Sequence, residues 1–141
     1  MEELSFNAYF NWFYKDDDYI ATNEFKVLKK RLLKQKEILS DFLFFPVNLQ
    51  GEVTSHTLYF FNEKWLITLL VSKEYELVVT HQSLLGIDEI YYGINPYGHR
   101  VLKVRKENKD LFDLEYKGSW PSKLKDDYQS NLDEIHDLLT K

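Results

Sequence analysis

The tetrapeptide Asn95-Pro96-Tyr97-Gly98 constrains the fold of this chain more than any other short stretch. Proline supplies the fixed φ that the second position of a type I turn needs, and glycine takes the left-handed conformation of the bulge that follows such a turn. This chemistry predicts a tight hairpin in which Asn95 pairs with His99. This pair also sets the register of the two flanking strands, because each step away from Asn95 along one strand matches one step away from His99 along the other.

This register sorts the side chains of the predicted hairpin by polarity. On one face the cross-strand pairs are apolar: Ile90 with Val104 and Tyr92 with Leu102. On the other face they are polar: Glu89 with Arg105 and Tyr91 with Lys103. An antiparallel hairpin with one buried and one solvated face requires this separation, and opposite charges across strands stabilise it. The pattern therefore supports the turn.

The same reasoning extends to the next strand. Pairing Val104 with Leu114 places Arg105 opposite Asp113, and it also places Leu102 opposite Tyr116. Lys103 then opposes Glu115, so three strands would carry a neutralised polar face. We expect this face to be solvent-exposed surface.

The stretch Gly93 to Arg100 also has the outline of a phosphate-binding loop, with two glycines followed by His99 and Arg100. Such a loop needs a helix after it, and a lysine and a hydroxyl at the positions after the second glycine. Here the following residues, VLKVRK, predict a strand instead. The phosphate-loop interpretation fails on both requirements.

Hydrophobic periodicity predicts the remaining elements. Residues 4–14 fit a helix or a strand, and a short helix capped by Ser5 is preferred; an amphipathic helix covers about 23–41. Pro46 and Gly51 indicate a break, after which short strands are predicted near 56–62, 65–71, 76–81, 88–94, 99–106 and 111–117. A final helix begins near Pro121 and carries Leu124, Tyr128, Leu132, Ile135 and Leu139 on one stripe.

These elements predict an α+β fold: a single antiparallel β-meander of about five to six strands, with an N-terminal helix or helices and one C-terminal helix packed on it. The length of 141 residues suits a single domain spanning residues 1–141. The connections between the predicted strands are too short for crossover helices, so the sheet should be antiparallel.

Two of the predicted strands, 65–71 and 76–81, are apolar on both faces. A strand of this kind is normally covered on both sides. One explanation is that the N-terminal helices cover one face and the C-terminal helix the other. The alternative is a dimer or partner interface, assisted by Leu84, Leu85 and Ile87 in the following connection.

Composition limits the compartment and the partner. The chain has no Cys, begins with acidic rather than basic residues and has no apolar run that spans a bilayer, so we expect a cytoplasmic protein without membrane association. The net charge of -5 argues against nucleic-acid binding, which needs a positive face. Residues 41–100 hold seven acidic and three basic residues, an excess that suits a basic protein partner.

Candidate catalytic and metal-binding residues are few. The histidines are His56, His81, His99 and His136, and none has the spacing of a metal site, so we expect neither a metal nor another cofactor. No catalytic motif is present, so we expect no enzymatic activity. A motif-free site remains open, in which His81, His99 and Arg100 meet and cleave RNA by general acid–base chemistry.

We therefore expect a small protein-binding module, an immunity-like or antitoxin-like inhibitor from a bacterium or a phage. It would neutralise a partner such as a toxin or nuclease through an acidic, aromatic-rich surface. The candidate partner-binding residues are Asp88, Glu89, Tyr91, Tyr97, His99, Arg100, Leu84 and Leu85. Two alternatives remain: a small-ligand-binding or hydrolytic, RNase-like α+β domain, and a structural subunit that forms an oligomer such as a homodimer through its two-sided apolar strands.

Overall fold

The structure is a computed structural model, and it describes residues 1, 3–13, 23–47, 49, 55–72, 76–117 and 120–141. It has the predicted α+β fold. The helices are α1 (Phe6–Phe13), α2 (Asn23–Ile38) and α3 (Lys125–Leu139), the last preceded by a 3₁₀ turn at Ser122–Leu124. The strands are β1 (Leu43–Val47), β2 (Ser55–Phe61), β3 (Trp65–Ser72), β4 (Leu77–Ser83), β5 (Ile87–Ile94), β6 (Arg100–Lys106) and β7 (Lys109–Glu115).

The strands form two antiparallel sheets, so the prediction of a single meander is wrong. Sheet A has the order β1-β2-β3-β4 and sheet B the order β5-β6-β7. The break lies between β4 and β5, where Leu84 is buried and its amide donates a hydrogen bond to the carbonyl of Lys64 at 2.9 Å. Gly86 follows with a φ of 85°, a left-handed conformation that redirects the chain. Strand β5 therefore starts a second sheet instead of pairing with β4.

Strand β1 is missing from the sequence prediction because Pro46 indicates a break there. Proline is tolerated on an edge strand, where its missing N–H removes no ladder bond, and β1 is an edge of sheet A. Helix α3 covers this edge. The side-chain amide of Asn131 donates to the carbonyl of Phe44 at 2.7 Å, and the hydroxyl of Tyr128 donates to the carbonyl of Pro46 at 2.9 Å. Gly51, the other residue of the expected break, lies outside the described residues.

Sheet A separates two hydrophobic clusters. The first packs α1 and α2 on one face of the sheet, with Phe6, Tyr9, Leu32, Phe60 and Leu69 among its members. The second packs the opposite face of sheet A, through Phe45, Phe61 and Leu66, against sheet B and α3. Neighbouring residues of one strand enter different clusters because successive side chains point to opposite faces. This arrangement explains why β3 is apolar on both faces.

The helices agree with the sequence prediction. Residues 6–13 are helical, and the hydroxyl of Ser5 accepts the amide of Ala8 at 3.1 Å, the expected cap. Leu28 and Leu32 of α2 are buried, as is Leu39 directly after the helix ends. Among the described residues, none of the helices combines the length and apolar character needed to cross a membrane.

The predicted register of the β5–β6 hairpin is confirmed from Glu89 onward: Glu89, Ile90, Tyr91 and Tyr92 pair with Arg105, Val104, Lys103 and Leu102. At the far end of the hairpin the register shifts between Ile87 and Glu89, so that Ile87 pairs with Lys106. The predicted β6–β7 register is wrong, because Val104 pairs with Phe112 and Leu102 with Leu114. The chain reverses tightly at Glu107 and Asn108, whose φ angles are 55° and 62°. The pairing register of β6 with β7 also shifts between Val104 and Arg105. Since the error is an even number of residues, the side chains keep their predicted faces.

Candidate functional site

The turn between β5 and β6 has the predicted geometry. The amide of Gly98 donates to the carbonyl of Asn95 at 2.9 Å, and Gly98 has a φ of 80°. The side-chain oxygen of Asn95 accepts the amides of Tyr97 at 2.9 Å and His99 at 3.0 Å. These bonds hold the loop in one shape. The Tyr97 side chain, 84% exposed, is therefore presented at the tip of an ordered turn.

The face of sheet B that points away from α3 forms a shallow groove of about 460 Å³. We call it the outer face. Its lining residues are Glu89, Tyr91, Ile94, Asn95, Pro96, Val101, Lys103, Arg105, Asp110, Asp113 and Glu115. Two of them, Glu89 and Tyr91, are predicted partner-binding residues. The hairpin register places them here, because the alternate residues Ile90 and Tyr92 turn towards the cluster around α3.

Acidic side chains outnumber basic ones on the outer face, by four carboxylates to two cations. Both cations are paired within the groove: Arg105 Nε lies 3.5 Å from Asp110 Oδ1, and Lys103 Nζ lies 3.9 Å from Asp113 Oδ2. The expected ion pair between Glu89 and Arg105 does not form, although the two residues oppose each other. Within the described ranges, Glu89 has no ion-pair partner, so its charge is available to another molecule.

Glu115 is held in its ionised form at the edge of the groove near the hairpin turn. Its carboxylate forms an ion pair with Lys117 and accepts a hydrogen bond from the side-chain amide of Asn95 at 3.1 Å. The hydrogen bond from Lys117 lowers the pKa of Glu115 below its usual 4.5, against the opposing effect of partial desolvation. The same Asn95 therefore fixes both the turn and the carboxylate beside it.

Gly93 determines where the Tyr91 ring lies. A Cβ atom at Gly93 would be only 2.8 Å from the Tyr91 hydroxyl oxygen and 3.0 Å from the adjacent ring carbon. The ring therefore occupies the space that a side chain at Gly93 would fill, and it remains largely exposed. Glycine in a strand often marks such a close approach. This arrangement holds an aromatic surface along the groove.

Arg100 does not belong to this surface. Its Nε lies 2.8 Å from Asp133 Oδ1 on α3, and its amide donates to the side-chain oxygen of Gln129 at 2.9 Å. Tyr92 also packs against α3, with its ring stacked on that of His136 at a centroid distance of 4.2 Å. Arg100 therefore joins the end of sheet B to α3, and its predicted role as a partner contact has no support in this geometry.

His81 and His99 lie on different sheets. His99 is half-buried in the β5–β6 hairpin, with its ring edge-on to Tyr116 at 5.3 Å, and it borders a hollow that Tyr97 also lines. His81 lies on β4, with its ring 6.5 Å from that of Trp65. The described residues contain no cluster of His, Asp or Glu that could hold a metal ion.

The other predicted residues lie at the opposite end of β5. Leu84 is a core residue, only 7% exposed, whereas Leu85 is 83% exposed. The carboxylate of Asp88 accepts the amide of Glu107 at 2.9 Å and so supports the β6–β7 turn. A strand of this length spans roughly 25 Å, so Leu85 and Tyr97 do not share one small contact area.

A second hollow, of about 720 Å³, went unrecognised in the sequence. It lies between the β2–β3 turn and the end of α3. Its lining residues are Asp41, Leu43, Phe61, Asn62, Glu63, Lys64, Glu134, Asp137, Leu138 and Lys141. They come from separate segments of the chain, and only the packing of α3 on sheet A brings them together. None of the predicted partner-binding residues lines it.

Comparisons of the chain with protein-family models, with curated proteins and with solved structures find no match.

Proposed function

We propose that this protein is a small cytoplasmic protein-binding module, an immunity-like or antitoxin-like inhibitor of bacterial or phage origin. It neutralises a basic partner protein, such as a toxin or nuclease, by covering the partner's basic site. The contact surface is the outer face of sheet B together with the Tyr97 turn. This assignment keeps Glu89, Tyr91, Tyr97 and His99 as contact residues.

One observation supports this proposal above the others: large apolar side chains stand exposed beside an acidic groove. Ile94 is 72% exposed, and Tyr91 and Tyr97 are also exposed on the same hairpin. Exposed aromatic side chains held in fixed positions are typical of the centre of protein–protein interfaces. The second hollow has carboxylates too, but no exposed aromatic side chain lines it.

The shape of the groove favours a protein over a small molecule. A small-ligand site usually encloses most of its ligand in an apolar cavity. The outer face is a shallow surface lined mostly by charged and polar side chains, together with the ring of Tyr91 and the apolar Ile94 and Val101. A partner loop carrying Lys or Arg beside an apolar residue would match both parts of this surface.

The electrostatics predict how the complex responds to salt. The excess carboxylates of the outer face attract a basic partner and accelerate its association. Salt screens this attraction over roughly 8–10 Å at physiological ionic strength. We therefore expect the association rate to fall as salt rises, while contacts through Tyr91 and Tyr97 determine the dissociation rate.

The experiment compares immobilised wild-type protein with two variants, Tyr91→Ala and Glu89→Lys, in a lysate of the source bacterium. The captured basic protein is then purified and titrated against each form. Loss of an aromatic side chain at an interface centre costs about 2 kcal/mol or more, so Tyr91→Ala should weaken binding by about thirtyfold. Glu89→Lys should mainly lower the association rate.

Glu37→Lys is the matched control, because it makes the same charge change on the exposed surface of α2. Asp88→Lys is less informative, since that change also removes the hydrogen bond from Glu107. A partner that binds wild type, Tyr91→Ala and Glu89→Lys with one affinity would contradict the proposal.

A further inference from the structure

Three of the four sheet edges in the described part of the chain are protected against pairing with another strand. The outer edge of β1 is covered by Tyr128 and Asn131 of α3. Strand β7 carries several charged residues, and β5 carries two acids beside a register shift. Charges and bulges of this kind prevent edge-to-edge association.

The remaining edge, β4, is protected at its C-terminal end, where Lys106 Nζ donates a hydrogen bond to the carbonyl of Ser83 at 2.9 Å. Among the described residues, none of these protections covers the stretch from Leu77 to Gln82. The sequence of β4, LVVTHQS, contains no charged residue and no proline. It pairs with β3 without a register shift from Leu77 to Ser83. Among the described residues, no strand pairs with its outer side. A regular, uncharged edge strand rich in β-branched residues is a template for a further strand.

The hydrogen bonds at the two ends of the β3–β4 ladder show which groups point outward. The backbone amide of Ser72 donates to the carbonyl of Glu76 at one end, and the amide of Leu84 donates to the carbonyl of Lys64 at the other, both at 2.9 Å. Bonded pairs alternate along an antiparallel ladder, so the even-numbered residues of β4 bond to β3. The amides and carbonyls of Leu77, Val79 and His81 therefore point away from the sheet.

The exposed side chains of β4 itself are also uncharged, whereas Lys106 contacts the carbonyl of Ser83 at the end of the strand. Leu70 opposes Val78 on one face, and both are exposed. Trp65 is exposed on the opposite face, where its ring approaches that of His81. A strand added at β4 would contact apolar side chains on both faces. Interfaces are enriched in such aromatic and apolar groups and depleted in charge.

We infer that β4 pairs antiparallel with β4 of a second copy of this chain and joins the two A sheets into one. A two-fold contact brings each residue next to its own counterpart or a near neighbour, so a charged strand would repel itself. The chain carries a net charge of -5, yet β4 is neutral and compatible with itself. Centring the pairing on Thr80 sets Val79 opposite His81 of the other copy.

The first test measures molar mass by sedimentation velocity and light scattering over a range of protein concentrations. Wild type should form a dimer that persists at high salt, because the contact is uncharged. Thr80→Lys places two ammonium groups face to face, and His81→Pro removes an outward amide without breaking the ladder to β3. Each should weaken dimerisation by at least about tenfold. Val27→Lys, on the exposed surface of α2, should remain dimeric.

The second test uses the absence of cysteine from the chain. In the proposed register Thr80 meets its counterpart in a non-bonded pair, where Cα atoms lie about 4.5 Å apart, within reach of a disulfide. Thr80→Cys should therefore cross-link to a dimer under mild oxidation. Leu85→Cys, at an exposed position outside β4, should cross-link far less.

Either of two results would overturn the inference. One is a wild-type chain that stays monomeric at every concentration and does not cross-link through Thr80→Cys. The other is a dimer that both Thr80→Lys and His81→Pro preserve. Cross-linking through Thr80→Cys decides the matter if Thr80→Lys or His81→Pro fails to fold. Since β4 belongs to sheet A, these variants leave the outer face of sheet B unchanged, and the partner-binding proposal is tested separately.

Discussion

The hydroxyl of Tyr128 on α3 donates a hydrogen bond to the carbonyl oxygen of Pro46 on β1 at 2.9 Å. The contact is buried, so the Pro46 carbonyl has no access to water as a substitute. Tyr128→Phe removes the donor and leaves the carbonyl unsatisfied, which should lower the free energy of unfolding by about 1–3 kcal/mol. Urea denaturation measures this loss. Tyr97→Phe is the control, because that hydroxyl is solvent-exposed and its removal should change stability by less than about 0.5 kcal/mol.

The contribution of Tyr128 should also depend on pH. Desolvation by burial, with a smaller effect of Tyr116, raises the pKa of Tyr128 above its usual 10.0. The unfolded chain therefore releases this proton first, so the stabilisation is complete below about pH 9 and is lost as the pH rises through 10 and beyond. The stability difference between wild type and Tyr128→Phe should narrow from about pH 9 to pH 11. A constant difference over this range would contradict the assignment.

Leu84 and Leu85 are neighbours with opposite environments. Leu84→Ala opens a cavity in the cluster between the sheets and should destabilise the fold by about 2–5 kcal/mol. Leu85→Ala changes an exposed side chain and should alter stability by less than about 0.5 kcal/mol. Thermal and urea unfolding of the two variants provide the comparison. Equal effects would mean that Leu84 does not anchor the connection between the sheets.

The β6–β7 turn can be improved. Glu107 and Asn108 both have positive φ, which is unfavourable for Glu but tolerated by Asn. Glu107→Asn should therefore raise the free energy of unfolding by about 0.5–1 kcal/mol. The matched control is Lys109→Asn, because Lys109 lies outside the turn and lacks a positive φ. Equal effects of the two substitutions on stability would refute the explanation.

Gly93→Ala tests the position of the Tyr91 ring. The new Cβ would meet the outer end of an exposed side chain, so the ring should move while stability changes by less than about 1 kcal/mol. NMR shifts of the Tyr91 ring report this displacement, and partner affinity should fall with it. In the Tyr91→Ala background, Gly93→Ala should have no further effect on affinity. An additive loss would show that Gly93 acts independently of Tyr91.

The sequence predicts the β5–β6 hairpin correctly because its register depends on local chemistry. Pro96 and Gly98 restrict their own backbone angles, and the alternation of charged and apolar residues independently selects the same pairing. The β6–β7 register is less accessible, since Glu107 adopts a conformation that its residue type does not favour.

The separation into two sheets depends on contacts that no local pattern reveals. Leu84 and Leu85 are identical residues in sequence, yet only Leu84 enters the core. Arg100 shows the same limit at the candidate site. It follows an exposed turn and suggests a partner contact, but α3 brings Asp133 to within 2.8 Å of it. Only the tertiary fold distinguishes these cases.

The cover that α3 places over β1 has a consequence for synthesis on the ribosome. Strand β1 precedes Tyr128 and Asn131 by more than eighty positions. The side chains that donate hydrogen bonds to the carbonyls of Phe44 and Pro46 are therefore translated much later than the strand itself. Until α3 emerges, a nascent chain with β1 in place exposes an uncovered, phenylalanine-rich edge. Such edges promote aggregation of incomplete chains. A helix translated much later therefore also completes the protection of this strand.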